Sequence, residues 1–335
     1  MDDLTIRTAG RAGRITFTRP KALNALTHAM ARDIHDALDA WRDDPAVALV
    51  IIDAEGDRAF CAGGDIAAVY HAGLAGDHRV GRDFFRDEYR MNAAIADFPK
   101  PIVAFMQGFV MGGGVGVGGH ASHRIGGDTT RIAMPESGIG LIPDVGGTWL
   151  LGRAPGRIGE YLALTGARME AGDAIHAGFA DLYIPEADWP DRIAMLQDSG
   201  DAGSLRGHPA PPATLDRRDL SAFGGRHVPD IIAGLEQVGD TESLNALRRN
   251  SPLSMAAGLA MVRAARGDDR MQQSLSREYR FTARATAESD FLEGVRAQII
   301  DKDRKPVWRR DASEDTVRAM LAPLGDDDLK WENAE

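Results

Sequence analysis

Two carboxylates stand alone in apolar surroundings shortly after a run of glycines. Gly112-Gly113-Gly114-Val115-Gly116 comes first. Glu136 follows in Met134-Pro135-Glu136-Ser137, and Asp144 in Ile142-Pro143-Asp144-Val145-Gly146-Gly147. Glycines at a helix start leave N–H groups unpaired beside the positive end of the helix dipole, where an oxyanion is stabilised. Partly buried carboxyls have raised pKa values, which equips them for acid–base or nucleophilic work. Together these are the parts for carbonyl chemistry on an activated acyl group, without metal or redox cofactor.

A second small-residue site is Gly63-Gly64-Asp65, where a ligand could approach the backbone closely. Each candidate also has a plainer local role. The Gly-Gly-Asp reads as a tight turn, with Asp65 capping the next helix. Asp144 reads as the N-cap of a helix starting near Gly146, and Glu136 as a turn residue bonding the backbone. Gly116 and Gly118 fit close packing of their helix on a neighbour. Glu88, in Phe85-Arg86-Asp87-Glu88-Tyr89, reads by itself as a helix-surface acid.

Other chemistry-bearing residues give weaker patterns. Cys61 has no activating neighbour and reads as a small buried hydrophobe. His120 and His123 share helical spacing, yet no third metal ligand accompanies them, so surface or structural roles are preferred. Ser137 lacks a Gly-x-Ser-x-Gly setting. The glycine run has no Gly-Lys-Ser/Thr behind it, and no acid is placed to hold a ribose after Gly114-x-Gly116-x-x-Gly119.

The 335 residues suit one large domain with an appendage or two modest domains. A net charge of −11 disfavours nucleic acid as a partner, although a local basic patch could hold a phosphorylated ligand. A single cysteine excludes an intramolecular disulfide and a multi-cysteine metal site. No apolar run is long enough to span a bilayer. The opening MDDLTIRTAG is acidic, lacks the apolar stretch of a secretory signal and does not read as a typical Arg-rich transit peptide, which predicts a cytoplasmic protein.

The elements that must position these residues alternate between strand and helix. Leu4 to Arg7 and Arg14 to Phe17 predict two short strands joined at Gly10 to Gly13. Met30, Ile34, Leu38 and Trp41 predict a helix capped by Thr27. Ala46 to Ile52 and Pro101 to Met106 read as buried strands. Phe60 to Ile66 is a strand-to-helix junction, and Arg82 to Phe98 a helix. Gly112 opens a further helix, followed by short strands at Arg124-Ile125 and Arg131-Ile132. The alternation predicts an α/β layered structure. Asp198 to Pro212 reads as a linker, and Pro229 to Leu324 as mainly helical, with helices at Leu253 to Ala265 and Met271 to Ala285. The acidic tail Gly325 to Glu335 reads as frayed or exposed. This gives a core over 1–200 and a linker with a mainly helical region over 201–335.

These segments together resemble the enoyl-CoA hydratase/isomerase (crotonase) superfamily. Arg19-Pro20-Lys21-Ala22-Leu23-Asn24-Ala25-Leu26 is similar to its N-terminal motif. Phe60-Cys61-Ala62-Gly63-Gly64-Asp65-Ile66 and Met111-Gly112-Gly113-Gly114 are similar to its two oxyanion-hole segments. The segments around Glu88, Glu136 and Asp144, with Asp290-Phe291-Leu292-Glu293-Gly294-Val295-Arg296-Ala297 and Ile300-Asp301-Lys302-Asp303, resemble its 3-hydroxyisobutyryl-CoA hydrolase branch. Ser251-Pro252 and Glu278-Tyr279-Arg280 add to this, so the resemblance runs from about Thr5 to Trp308.

The resemblance implies a crotonase-like ββα spiral core with a mainly helical C-terminal region. It implies an acyl-CoA substrate, no separate cofactor and no metal. The amides of Gly64 and Gly113 would polarise the thioester carbonyl, and Glu136 and Asp144 would be the catalytic acids. Glu88, Gly113, Glu136 and Asp144 would bind the acyl part, and Ala22, Ala62, Gly64 and Ile66 the CoA part. Hydratases of the superfamily carry a glutamate where this chain has Gly116, which disfavours hydration. The implied setting is valine breakdown. Many relatives form trimers or hexamers, so a homo-oligomer is open.

Overall fold

The computed structural model describes residues 3–331. It divides into two compact units that interleave along the chain. The first takes the residues up to Asp65, then Arg90–Ala133 and Arg168–Arg217. The second takes Ile66–Tyr89, Met134–Ala167 and the chain from Arg218 onward.

The first unit carries all nine strands found among the described residues: β1 (Leu4–Ala9), β2 (Ala12–Phe17), β3 (Leu49–Ala54), β4 (Ala59–Cys61), β5 (Ile102–Met106), β6 (Phe109–Met111), β7 (His123–Gly126), β8 (Arg131–Ala133) and β9 (Leu182–Tyr183). Six form one sheet in the order β1-β2-β3-β5-β7-β9, and β4-β6-β8 form a second. Only β1 and β2 pair antiparallel, through a two-residue loop in which Gly10 supplies a φ of +59°. The other pairs are parallel. Parallel strands are covered on both faces, so β3 and β5 read as the unbroken apolar runs LVII and IVAFM.

On one face of the large sheet Leu49, Ile51, Val103, Phe105 and Ile125 pack with Ile184, Trp189 and Leu196. On the other lies the His28–Arg42 helix, whose buried stripe is Met30, Ile34, Leu38 and Trp41. Thr27 caps it as expected, its Oγ1 accepting from Met30 N at 3.2 Å. Gly13 has no side chain because a Cβ there would lie 2.4 Å from the Trp41 ring.

The second unit is helical. The Arg79–Ala96 helix enters it by its first turns, up to Tyr89. Phe84, Phe85, Glu88 and Tyr89 are buried, a stripe at i, i+1, i+4 and i+5. The Tyr89 ring meets Tyr279, from the Met271–Glu288 helix, edge-on at 6.2 Å. Phe85 meets Phe291 in the same way, also at 6.2 Å. Glu160 is fully buried and neutralised by Arg157 at 2.9 Å, Arg266 at 2.6 Å and Arg263 at 3.5 Å.

The tail departs only in part from its expected exposure, since Gly325, Asp326, Asp327 and Lys330 are exposed. Asp328 pairs with Arg280 at 3.1 Å, Leu329 is buried, and Trp331 Nε1 donates to Ser276 Oγ at 2.9 Å. An apolar and an aromatic residue inside the acidic run are what tie it down. Residues 332–335 lie outside the described range. No helix among the described residues is long and apolar enough to cross a membrane.

Candidate active site

In the first unit the two glycine segments leave the small sheet at the same end. β4 and β6 are parallel neighbours with Cys61 opposite Val110. Gly64 and Gly113 therefore each lie three residues beyond a paired residue, at the carboxyl ends of adjacent strands. That is the end at which parallel α/β sheets hold ligands. Gly63 has φ +119° and Gly112 φ +49°, values that side-chain-bearing residues rarely adopt. Gly112 is the N-cap of the short helix Gly113–Gly118. Gly114 and Gly118 serve packing: a Cβ on Gly114 would lie 2.1 Å from the Cys61 carbonyl oxygen, and one on Gly118 2.6 Å from Met106 Sδ.

The amides flanking Gly64 are used by the fold. Ala62 N donates to Leu23 O at 3.1 Å and Asp65 N to Leu26 O at 2.8 Å. The N–H groups of Gly64 and Gly113 have no acceptor among the described residues. Two unmet donors at the ends of neighbouring strands suit a carbonyl oxygen that gains negative charge.

The N-terminal motif braces this segment. Leu23 and Asn24 both take positive φ, and the buried Asn24 side chain donates to the carbonyls of Glu55 at 3.0 Å and Ala59 at 2.8 Å. Asp65 is not the expected helix cap. The Ala67–Leu74 helix starts from Ile66 without a side-chain cap, and Asp65 instead pairs with Arg19 at 3.1 Å. Of the residues expected at CoA, Ala22 is exposed, Ala62 and Gly64 are half-buried, and Ile66 is buried. His120 is buried, which excludes a surface role for it. Among the described residues no three His, Cys, Asp or Glu side chains are grouped to hold a metal ion.

The second unit brings Glu88, Glu136, Asp144 and Glu278 into one buried electrostatic cluster. All four are at most 5% exposed. Unlike Glu160, none forms an ion pair with a Lys, Arg or His among the described residues. Glu88 is therefore no surface acid. It lies four residues after Phe84, on the buried stripe of its helix. Glu136 opens the 3₁₀ turn Glu136–Ile139, and its carbonyl accepts from Leu141 N at 3.1 Å. Its Oε2, like Glu88 Oε1, has no partner among the described residues.

Asp144 is not the side-chain N-cap it resembled. The Gly147–Arg153 helix starts from Gly146, and the Asp144 carboxylate turns instead to Tyr89, whose hydroxyl donates to Oδ2 at 2.7 Å. Thr282 Oγ1 lies 3.2 Å from the same hydroxyl. The helix start is held by Glu278, which accepts from Gly146 N at 2.7 Å, from Thr148 N at 3.0 Å and from the Thr148 hydroxyl. Tyr89, Glu278, Thr282 and Thr148 were not singled out as site residues from the sequence. The readable signal was a pair of polar residues, Glu278 and Thr282, four apart inside a helix with an apolar stripe.

Burial and mutual repulsion set the titration of the cluster. Burial pushes Asp144 up to about 7 against the hydrogen bonds from Tyr89 and its own amide. Glu136 is driven well above the usual carboxylate range by burial, then by the charges of Asp144, Glu278 and Glu88, with its own amide opposing. Glu88 is raised by burial and by Asp144. Burial raises Glu278 to about 8 despite the donors from Thr148 and Gly146. Four uncompensated acids in low dielectric share fewer than four charges near neutrality, the condition for acid–base work.

Comparison with known proteins bears on the family and the fold. The sequence profile of the enoyl-CoA hydratase/isomerase family matches residues 12–324. Mitochondrial 3-hydroxyisobutyryl-CoA hydrolase of Xenopus laevis is 40% identical, over 96% of this chain and 89% of that protein. The Gallus gallus protein of the same name is 38% identical, over 98% of this chain and 91% of its own length. A crystal structure described as an enoyl-CoA hydratase from Rhodobacter sphaeroides 2.4.1 is 55% identical, with a TM-score of 0.95, covering 98% of this chain and 100% of that one. The α/β architecture with a helical C-terminal region is thus the crotonase fold. This chain belongs to the enoyl-CoA hydratase/isomerase (crotonase) family.

Proposed function

We infer that this protein is an acyl-CoA thioester hydrolase that converts 3-hydroxyisobutyryl-CoA to the free hydroxy acid and CoA. The observation that carries the reading is the buried cluster of Glu88, Glu136 and Asp144 without a compensating cation, in a chain whose curated relatives carry that enzyme name. The thioester carbonyl oxygen would take the N–H groups of Gly64 and Gly113. Removing one such donor from an oxyanion site costs about 3 kcal/mol of transition-state stabilisation.

In the first step Glu136 attacks the acyl carbon as the carboxylate, in the state of the coupled cluster where the shared proton sits on a neighbouring acid. The tetrahedral oxyanion collapses, the C–S bond breaks, and CoA leaves as thiol with a proton from the shared acid cluster. In the second step Asp144 takes a proton from water, whose oxygen cleaves the acyl–Glu136 anhydride. The products are the hydroxy acid and a restored Glu136. A base near 7 is matched to that task at neutral pH. Glu88 would bind the substrate hydroxyl, and Ala22, Ala62, Gly64 and Ile66 would contact CoA.

Hydration is the second reading, favoured by the description of the Rhodobacter sphaeroides structure. Against it, Gly116 occupies the position where hydratases of the superfamily carry their other glutamate. Crotonyl-CoA separates the two: hydration removes the alkene absorbance, whereas hydrolysis releases free thiol. Thiol release from 3-hydroxyisobutyryl-CoA with unchanged crotonyl-CoA supports the hydrolase; the reverse pattern refutes it. The setting we propose is valine breakdown in the cytoplasm. The word mitochondrial in the relatives' names describes those proteins.

A further inference from the structure

The chain after Asp144 runs through two consecutive left-handed residues, Val145 at φ +54° and Gly146 at φ +77°. Glycine adopts this conformation freely, but it is among the least favourable for a β-branched residue such as Val145. Such a turn persists where its surroundings over-determine it. Here one helix contributes to those surroundings at two points. Glu278 and Thr282, four residues apart on Met271–Glu288, lie on one helix face and are both buried.

Glu278 holds the main chain beyond the turn, with Oε2 on Gly146 N at 2.7 Å and Oε1 on Thr148 N at 3.0 Å and on the Thr148 hydroxyl. Thr282 holds the Tyr89 hydroxyl at 3.2 Å, and that hydroxyl donates to Asp144 Oδ2 at 2.7 Å. One helix therefore braces Asp144 twice, through its backbone and through its carboxylate.

We propose that Glu278 is a positioning residue for the hydrolysis: it clamps the strained Val145–Gly146 turn and so fixes the Asp144 carboxylate against Tyr89. The proposal rests on Asp144 being a reacting acid. A carboxyl group is required because both of its oxygens accept main-chain N–H groups, and when the group is neutral its proton can go to the rotatable Thr148 hydroxyl. Glutamine offers one acceptor oxygen and one NH₂, so either Gly146 N–H or Thr148 N–H would face another donor.

The test is steady-state hydrolysis of 3-hydroxyisobutyryl-CoA by Glu278→Gln, Thr148→Val, Thr148→Ser and Asp144→Asn, with thermal denaturation of each. Misplacing a reacting group by about 1 Å costs about 100-fold, so Glu278→Gln should lower kcat by about 10- to 100-fold, with KM within about threefold. Thr148→Val should lower kcat less, and Thr148→Ser should restore it, since serine keeps the hydroxyl donor. A folded Glu278→Gln enzyme with wild-type kcat overturns the proposal while inactive Asp144→Asn leaves the hydrolase reading standing. Wild-type turnover by Asp144→Asn instead removes the reading on which the proposal rests. Should Glu278→Gln fail to fold, Thr148→Val decides: reduced kcat at unchanged KM supports the clamp, and unchanged kcat overturns it.

Discussion

Asp144 is held near 7 by burial, well above its ordinary 3.8, and this has a consequence for stability. Between those two pH values the unfolded chain has released the proton and the folded chain keeps it. Stability contributed by this group therefore falls as pH rises through that window. Asp144→Asn removes the liability, because asparagine still accepts from Tyr89 and never ionises. Its stability relative to the wild type should increase from about pH 4 to about pH 8, by on the order of a few kcal/mol. Urea denaturation at both pH values measures this, and a difference that stays flat argues against a raised Asp144. Glu136→Gln should bind acyl-CoA and release no thiol; turnover close to wild type removes Glu136 from the mechanism. At this scale Glu136 and Asp144 were legible in the sequence as lone acids among apolar residues. Tyr89 and Glu278 were not, because they reach Asp144 and Gly146 across sequence separations of 55 and 132 residues. Glu88 was half legible: alone it looked like a surface acid, yet its spacing from Phe84 marks a buried stripe.

Among the elements of the site, the Gly113–Gly118 helix makes a sharp demand on sequence. Its closest approach is Gly114 to β4, where a Cβ would lie 2.1 Å from the Cys61 carbonyl oxygen. Backbone cannot yield as a flexible side chain does. Gly114→Ala should therefore destabilise by at least the ~1–3 kcal/mol typical of overpacking. It should also lower kcat by shifting the Gly113 amide; wild-type stability in denaturant would contradict the packing. Unbroken apolar runs located β3 and β5, and helical spacing the His28–Arg42 helix, because each is long enough to show its pattern. The two-residue β9 and the seven-residue Gly147–Arg153 helix are too short to do so. The Asp144 cap misled for a related reason. The left-handed Val145 and Gly146 move the helix start past it, and nothing local in the sequence marks Val145 for that conformation.

Across the whole molecule, the chain alternates between its two units, so each candidate group depends on segments far apart in sequence. The proposed chemistry uses main-chain amides and carboxyls alone, so chelators should leave hydrolysis unchanged; loss of activity in EDTA that zinc or magnesium restores would contradict it. The acidic cluster predicts kcat rising with pH through about 7 as Asp144 ionises, and Asp144→Asn should lose that limb together with activity. Everything proposed for these residues comes down to cleavage of the thioester. Its most direct measurement incubates the protein with 3-hydroxyisobutyryl-CoA and follows free thiol and free hydroxy acid together. Equal amounts of both are expected, catalytic in enzyme and absent with Glu136→Gln. An intact thioester under those conditions, with crotonyl-CoA hydrated instead, would contradict it.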